Sequence, residues 1–430
     1  MTMSSAENTS TDVAVVGGGL MGLAIAHRLS RSGAAVVLLD QHDLGQHQSG
    51  RNWGFARQQG RSPAELPLMR MANTLWRSLS EELESDTGWV MGGNLAVFDS
   101  ENQENDYRRW LEIGQAAGVE SQYLSPEGVL SLIPAWQRPC RGALFAATDG
   151  QADPETVVGA YTEACKREGV TVLPRERVTS LVREGDTIKG VRTENGYIRA
   201  GQVVVAAGGW SRGLLAGIGM DLPQNFVHGT VSLTTKQPSI TDVTVWGPGF
   251  SFRQRKDGRF VCATGGGGLV DIGLDTLAQS RLFIGAFKKN WKRFKLRPGR
   301  QIPHEIRAAI SGQKISSVGP PIPRVDRHQS SLALKRLKGT IKGIGDIQIE
   351  RTWAGIIDST PDGLPVIDTL PEIGGLTVAT GFSGHGYGLV PAVGHVVTDL
   401  IMGHKPVCDV SAMRLSRFSA GDYVPPNAIL

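Results

Sequence analysis

Hydrophobic and polar positions in the first forty residues predict a strand, a glycine turn, a helix and a second strand. Val13 to Val16 form an unbroken apolar run, the pattern of a parallel strand covered on both faces. Three glycines follow. Leu23, Ile25, Ala26 and Leu29 then give a largely apolar helix ending near Gly33. Ala35 to Leu39 is again uniformly apolar and closes on Asp40, so the whole stretch reads as a βαβ unit.

Further along, helical spacing appears at about 66–84 and 104–118. Pro154 to Glu168 is a third such stretch, with Asp153 in place to cap it and Pro154 at its first position. Strands are expected at 170–173, 177–183, 187–193 and 196–199, and "QVVVAAGGW" (202–210) reads as a buried strand running into glycines. Between 225 and 265 the pattern is strand-rich, with a hairpin turning at Asp257-Gly258. Short apolar strands return at 350–380, and a final helix carries Leu389, Val393, Val396, Val397 and Leu400. Buried parallel strands therefore occur near the beginning, middle and end, with other strand material between them. This implies two interleaved domains, not two sequential ones.

Composition agrees with that size and class. The chain has 430 residues, 40% of them hydrophobic, more than one ordinary domain holds. Its 55 glycines, without a collagen period, indicate tight turns and close approaches of backbone to a ligand. The first ten residues are polar, so a disordered tail (1–10) is expected there and no signal peptide. No apolar run is long enough to span a membrane. Cys140, Cys165, Cys262 and Cys408 are scattered without metal-ligand spacing, so no metal site is expected and reduced thiols fit a cytoplasmic protein.

The chemistry starts at the first turn. Gly17-x-Gly19-x-x-Gly22 sits between strand and helix, where a pyrophosphate can approach the helix N-terminus. Asp40, at the end of the next strand, can accept hydrogen bonds from an adenosine ribose and disfavours a 2′-phosphate. A second glycine-rich segment, "ATGFSGHGYGLVPAVG" (379–394), precedes the last helix. A nicotinamide dehydrogenase would not need it. A helix N-terminus aimed at the N1–C2=O edge of a flavin would stabilise the reduced ring, which favours FAD over NAD.

These segments, with "SGRNWGFARQQG" (49–60), "TDGQADPETVV" (148–158), "VVVAAGGWS" (203–211) and "WAGIIDSTPDGLPVID" (353–368), carry a family resemblance. The chain resembles the D-amino-acid-oxidase-like superfamily of FAD-dependent oxidoreductases, near its L-amino-acid deaminase, sarcosine oxidase and opine oxidase subunit branches. The resemblance runs from Val13 to about Ile401. It implies an α/β fold in which a doubly wound, Rossmann-like FAD domain of the glutathione-reductase type is interleaved with an α+β antiparallel-sheet substrate domain. The FAD domain would comprise 11–90, 150–222 and 346–415, and the substrate domain 91–149 and 223–345. The implied cofactor-binding positions are Gly17, Gly19, Leu20, Met21 and Gly22 of the first turn, then Asp40 and Gln41. Ser49, Gly50, Arg51, Asn52 and Gly54 follow, then Val178, Ala207, Gly208, Trp210 and Gly355. The last are Gly384, His385, Gly386, Tyr387, Gly388 and Leu389.

Departures from the family pattern sharpen the expectations. No cysteine lies between 263 and 407, where sarcosine oxidases attach their flavin, so FAD is expected to be noncovalent. Ile357-Asp358 replaces an Arg-Pro pair of glycine-oxidase relatives, and Gly388 replaces a carboxylate-binding lysine of sarcosine oxidases. No counterpart of their oxygen-activating lysine is evident in "FVCATGG", which favours an acceptor other than O2. The expected reaction is oxidation of the CH–N bond of an amino acid or related amine by hydride transfer to flavin N5. The imine then hydrolyses to an oxo acid or aldehyde plus amine or ammonia. Such a substrate calls for a guanidinium partner for its carboxylate. Arg253, in the hairpin strand, is the first candidate and Arg57 the second, with Gln59, Trp353, His385 and Tyr387 as pocket walls or active-site partners. The alternatives are a demethylase of secondary or tertiary amines, sarcosine- or opine-like, and an FAD subunit of a hetero-oligomeric dehydrogenase.

Charge is uneven. Residues 281–342 hold 16 Lys/Arg and two acids, against a net +4 for the whole chain. Within it, about 296–340 reads as a basic insertion. It is either a solvated face, a membrane-surface contact, or a docking face for an acidic partner or a second copy of the chain. Nucleic-acid binding is not expected, because no reading module accompanies the charge.

Overall fold

A computed structural model of the chain describes residues 9–426, and the expected tail at 1–10 lies mostly outside them. Two large sheets organise these residues. The first has eight strands and a parallel centre, with Thr9–Val16 flanked by Tyr197–Val205 on one side and Val36–Leu39 on the other. Thr171–Leu173 extends it beyond Val36–Leu39, and Leu376–Thr380 beyond Tyr197–Val205. Three separate stretches of chain thus meet in one sheet, as the scattered apolar runs require.

Helices cover this sheet because the strand residues are apolar on both faces. Leu23, Ile25 and Leu29 of Leu20–Arg31 are fully buried, in one core with Leu389, Val393 and Val397 of Gly386–Ile401. Each such side chain contributes about 1.5–3 kcal/mol by leaving water. The opposite face is covered by a second core that includes Val203, Val205, Leu215 and Phe418.

The second sheet has ten strands and is largely antiparallel. The expected hairpin is present, Phe250–Gln254 pairing with Phe260–Ala263 around Asp257-Gly258. One expected boundary moves. The third FAD-domain segment is expected to begin at 346, but Ile349–Ser359 pairs along its length with Asn225–Thr234 of the second sheet. Expected capping also differs: Asp153 precedes Pro154–Arg167 without capping it, its carboxylate being turned to Arg253 and Arg255.

The basic insertion is not one solvated face. Arg327–Thr340 sends Ala333 and Leu337 into the second domain's core, with Ile341, Ile344 and Ile347 following. Ser280–Asn290 and Ile302–Ile310 add no side chain to that core, and Ile284 and Ile310 are exposed. Among the described residues no helix is long and apolar enough to cross a membrane, and no group of side chains could hold a metal ion.

Candidate active site

A cavity of about 850 Å³ runs between the two sheets. Val16 and Leu39, at the C-terminal ends of their parallel strands, form one wall, where ligands of open α/β sheets bind. Val227, Gly229 and Val231, with Gly355 to Ser359, form the other.

At the dinucleotide end the glycine turn leaves no room for side chains. A Cβ on Gly17 (φ +114) would lie 2.4 Å from the Ala206 carbonyl oxygen, and one on Gly22 1.8 Å from that of Gly17. The Leu20 N–H, at the first helical turn, donates to Ser49 Oγ at 2.9 Å. Asp40 accepts from the Gly18 and His42 N–H groups, and burial raises its carboxyl above the usual range. Because Gly22 touches backbone, Gly22→Ala must open the turn. FAD affinity is expected to fall about tenfold or more, seen as loss of the visible flavin absorbance on desalting.

At the far end, His385, Gly386 and Tyr387 line the cavity where Gly386–Ile401 begins. Tyr387 is held by its hydroxyl, which donates to Ala152 O at 3.0 Å, and by the Trp76 ring. Asp358 closes the wall beside Ile357. Its carboxylate accepts from Gln48 Nε2, Gln224 Nε2 and Gly381 N, while burial pushes it up to about 6. It thereby ties the two halves of the molecule together.

Arg57 and Arg61 bring positive charge to the same cavity. Arg57 lies 4.4 Å from the Trp246 ring centroid and donates to Gln59 O. Arg61 donates to Arg57 O. Among the described residues neither has a carboxylate within ion-pair distance. Glu65 and Asp149 act on both from further away. Burial lowers both guanidinium pKa values, that of Arg61 to about 9. Most of their N–H donors are thus left for an occupant of the cavity.

Several expected residues lie elsewhere. Arg253, the first candidate anchor, is 3% exposed and does not line the cavity. Its guanidinium is spent on Asp153, Trp53 O and Gln151 Oε1. Gln59 is fully buried and donates to Ser121 Oγ, and Trp353 donates to Arg51 O. Gly54 faces Arg253 and the Ala152 carbonyl, Gly50 faces Gly45 O, Gly388 packs on Met69, and Leu389 is core. With Gly22, these do not line the cavity. The other expected cofactor positions do, from Gly17, Gly19, Leu20, Met21, Asp40 and Gln41 to Gly384. Sequence reasoning missed Arg61, Trp246 and Glu65. The available signal was the spacing of Arg57, Arg61 and Glu65 by four, in a segment otherwise lacking periodicity.

The profile of the FAD dependent oxidoreductase (DAO) family matches residues 12–400. The chain belongs to this family. Among its DAO-family relatives, sarcosine oxidase subunit beta of Rhizobium meliloti (strain 1021) is 25% identical over 95% of this chain and 89% of that protein. Glycine oxidase of Geobacillus kaustophilus (strain HTA426) is 25% identical over 94% of this chain and 97% of its own. The structure of L-amino acid deaminase from Proteus myxofaciens in complex with anthranilate superposes with a TM-score of 0.89 at 25% identity, covering 97% of this chain and 96% of that one. This chain is accordingly an FAD-dependent amine or amino-acid oxidoreductase. The glycine turn that any Cβ would fill and the helix start at Gly386 fit that cofactor. No cysteine lines the cavity.

Proposed function

We propose that the protein oxidises the CH–N bond of an amino acid or N-substituted amino acid whose carboxylate is gripped by Arg57 and Arg61. One observation carries this reading: two buried guanidiniums line the cavity without a carboxylate partner at contact distance. Burying such charge costs several kcal/mol unless an anion completes it, so the occupant is anionic. The expected turn residues, Asp40, Arg51, Asn52 and Gly384 to Tyr387 would hold FAD. When bound, FAD supplies the two-electron acceptor for the substrate's α-C–H bond.

The rest is positioning. Arg57 and Arg61 fix the carboxylate, and Trp53, Phe55, Trp246 and Ile357 give apolar walls that exclude water. The amine must be neutral when the hydride leaves, and the resulting imine hydrolyses to an oxo acid or aldehyde plus ammonia or an amine. FAD reconstitution followed by anaerobic addition of primary and N-methylated amino acids tests this. Flavin bleaching by at least one of them is expected. Bleaching confined to N-methylated compounds identifies a demethylase, and bleaching by none sinks the reading.

A second reading, an FAD subunit that works within a larger assembly, is favoured by Leu277, Ile284 and Phe287, which line the cavity yet stay exposed. Turnover by the isolated chain with an artificial dye acceptor would exclude it.

A further inference from the structure

Behind the two arginines lies a carboxyl that the carboxylate grip does not use. Glu65 is 1% exposed, and its Oε2 stands 3.2 Å from His385 Nε2. Its Oε1 has no hydrogen-bond partner. The start of Leu66–Glu82 fixes it there, since its N–H donates to Ser62 O and its carbonyl accepts from Met69 N. The His385 ring lines the cavity, and its Nδ1 makes no hydrogen bond to protein among the described residues. One imidazole thus joins a buried carboxyl to the cavity.

We propose that His385 and Glu65 form a two-proton relay that removes the ammonium proton of the bound substrate. The inference rests on the amine-oxidation reading above, because an amino acid arrives protonated and only its free amine can release a hydride. His385 alone cannot keep that proton. Burial, with Arg61 and Arg57 close by, holds its imidazolium form well below the usual histidine range. A coupled shift avoids the imidazolium. The substrate N–H bond breaks as an N–H bond forms at Nδ1, while the Nε2–H bond breaks as an O–H bond forms at Glu65 Oε2. The freed electron pair stays on the substrate nitrogen, and His385 ends neutral in its other tautomer. The substrate's positive charge and the Glu65 negative charge disappear together. When product has left, the reverse shift carries the proton from Glu65 through His385 to water entering the cavity, restoring the carboxylate and the first tautomer.

Among the described residues, the charged and titratable groups around Glu65 are Arg57 and Arg61 from the preceding segment and His385 at the start of Gly386–Ile401. Asp149 acts on both arginines, and Tyr107 acts on Arg57. Burial pushes Glu65 up to about 7, where proton uptake and release are both accessible.

Glu65→Gln in the FAD-loaded protein tests the relay, since the amide keeps the shape and cannot take the proton. The native kcat/KM for an amino acid should rise with pH through neutrality. In Glu65→Gln that limb should vanish, leaving only the rise set by the substrate's own ammonium. A readout without turnover uses benzoate, a carboxylate with no amine, followed by the flavin absorbance shift. Its native dissociation constant should rise about threefold or more between about pH 6 and about pH 8 as Glu65 ionises, and stay flat in Glu65→Gln. If the glutamine variant does not hold flavin, Glu65→Asp serves, and its limb should shift. A limb and a benzoate titration that match the native protein in an active variant overturn the relay alone. A flavin that no amine bleaches overturns the amine-oxidation reading and the relay with it.

Discussion

Replacing Arg57 or Arg61 with alanine lowers kcat/KM for an amino-acid substrate by about 10- to 100-fold, mostly through KM. Each guanidinium is buried, lines the cavity, and spends little of its donor set on protein. A hydrogen bond between charged groups contributes about 1.5–3 kcal/mol, and losing one guanidinium leaves the bound carboxylate under-satisfied. Steady-state kinetics with a dye acceptor, beside the flavin spectrum of each variant, checks this. Arg57→Lys should recover little, because an ammonium cannot both lie flat on Trp246 and offer a planar fork. Unchanged kinetics in both alanine variants would remove the grip from this pair.

Arg253→Ala is expected to act differently. Its side chain reaches from the second sheet to Trp53 O, Gln151 and Asp153, all outside that sheet. Removing it leaves Gln151 and Trp53 O without this donor, while Asp153 keeps Arg255 at 3.2 Å. The cost is about 3 kcal/mol of stability, read as a lower melting temperature, with KM nearly unchanged in the protein that stays folded. A raised KM at an unchanged melting temperature would restore Arg253 as the carboxylate anchor.

The contrast between these two arginines shows where sequence reading stops. The βαβ start and the last helix were legible because their apolar periodicity is a local property of the chain. In "FSFRQ" the alternation puts Arg253 opposite Phe250 and Phe252, the face usually left to solvent. Every residue of that strand is buried, because Trp53, Gln151 and Asp153, some 100 to 200 positions earlier, cover the other face. Nothing in a single strand announces such a cover. The basic segment misled in the reverse way: its lysines and arginines hide Ala333 and Leu337, which face the core. Glu65 and Arg61 sit in a stretch with no apolar period to read, marked only by the four-residue spacing of Arg57, Arg61 and Glu65. The partnership of Glu65 with His385, 320 positions away, exists only once Gly386–Ile401 folds against Leu66–Glu82.

If an arginine-held carboxylate presents the amine to the flavin, removing the carboxylate must weaken reduction. Anaerobic titration of the FAD-loaded protein with an amino acid, and with the amine of the same side chain lacking the carboxylate, measures this. The amino acid should bleach the visible flavin band at concentrations about 100-fold lower than the amine does. Equal bleaching by both, or bleaching by no amino acid, primary or N-methylated, would show that no carboxylate grip orients the amine.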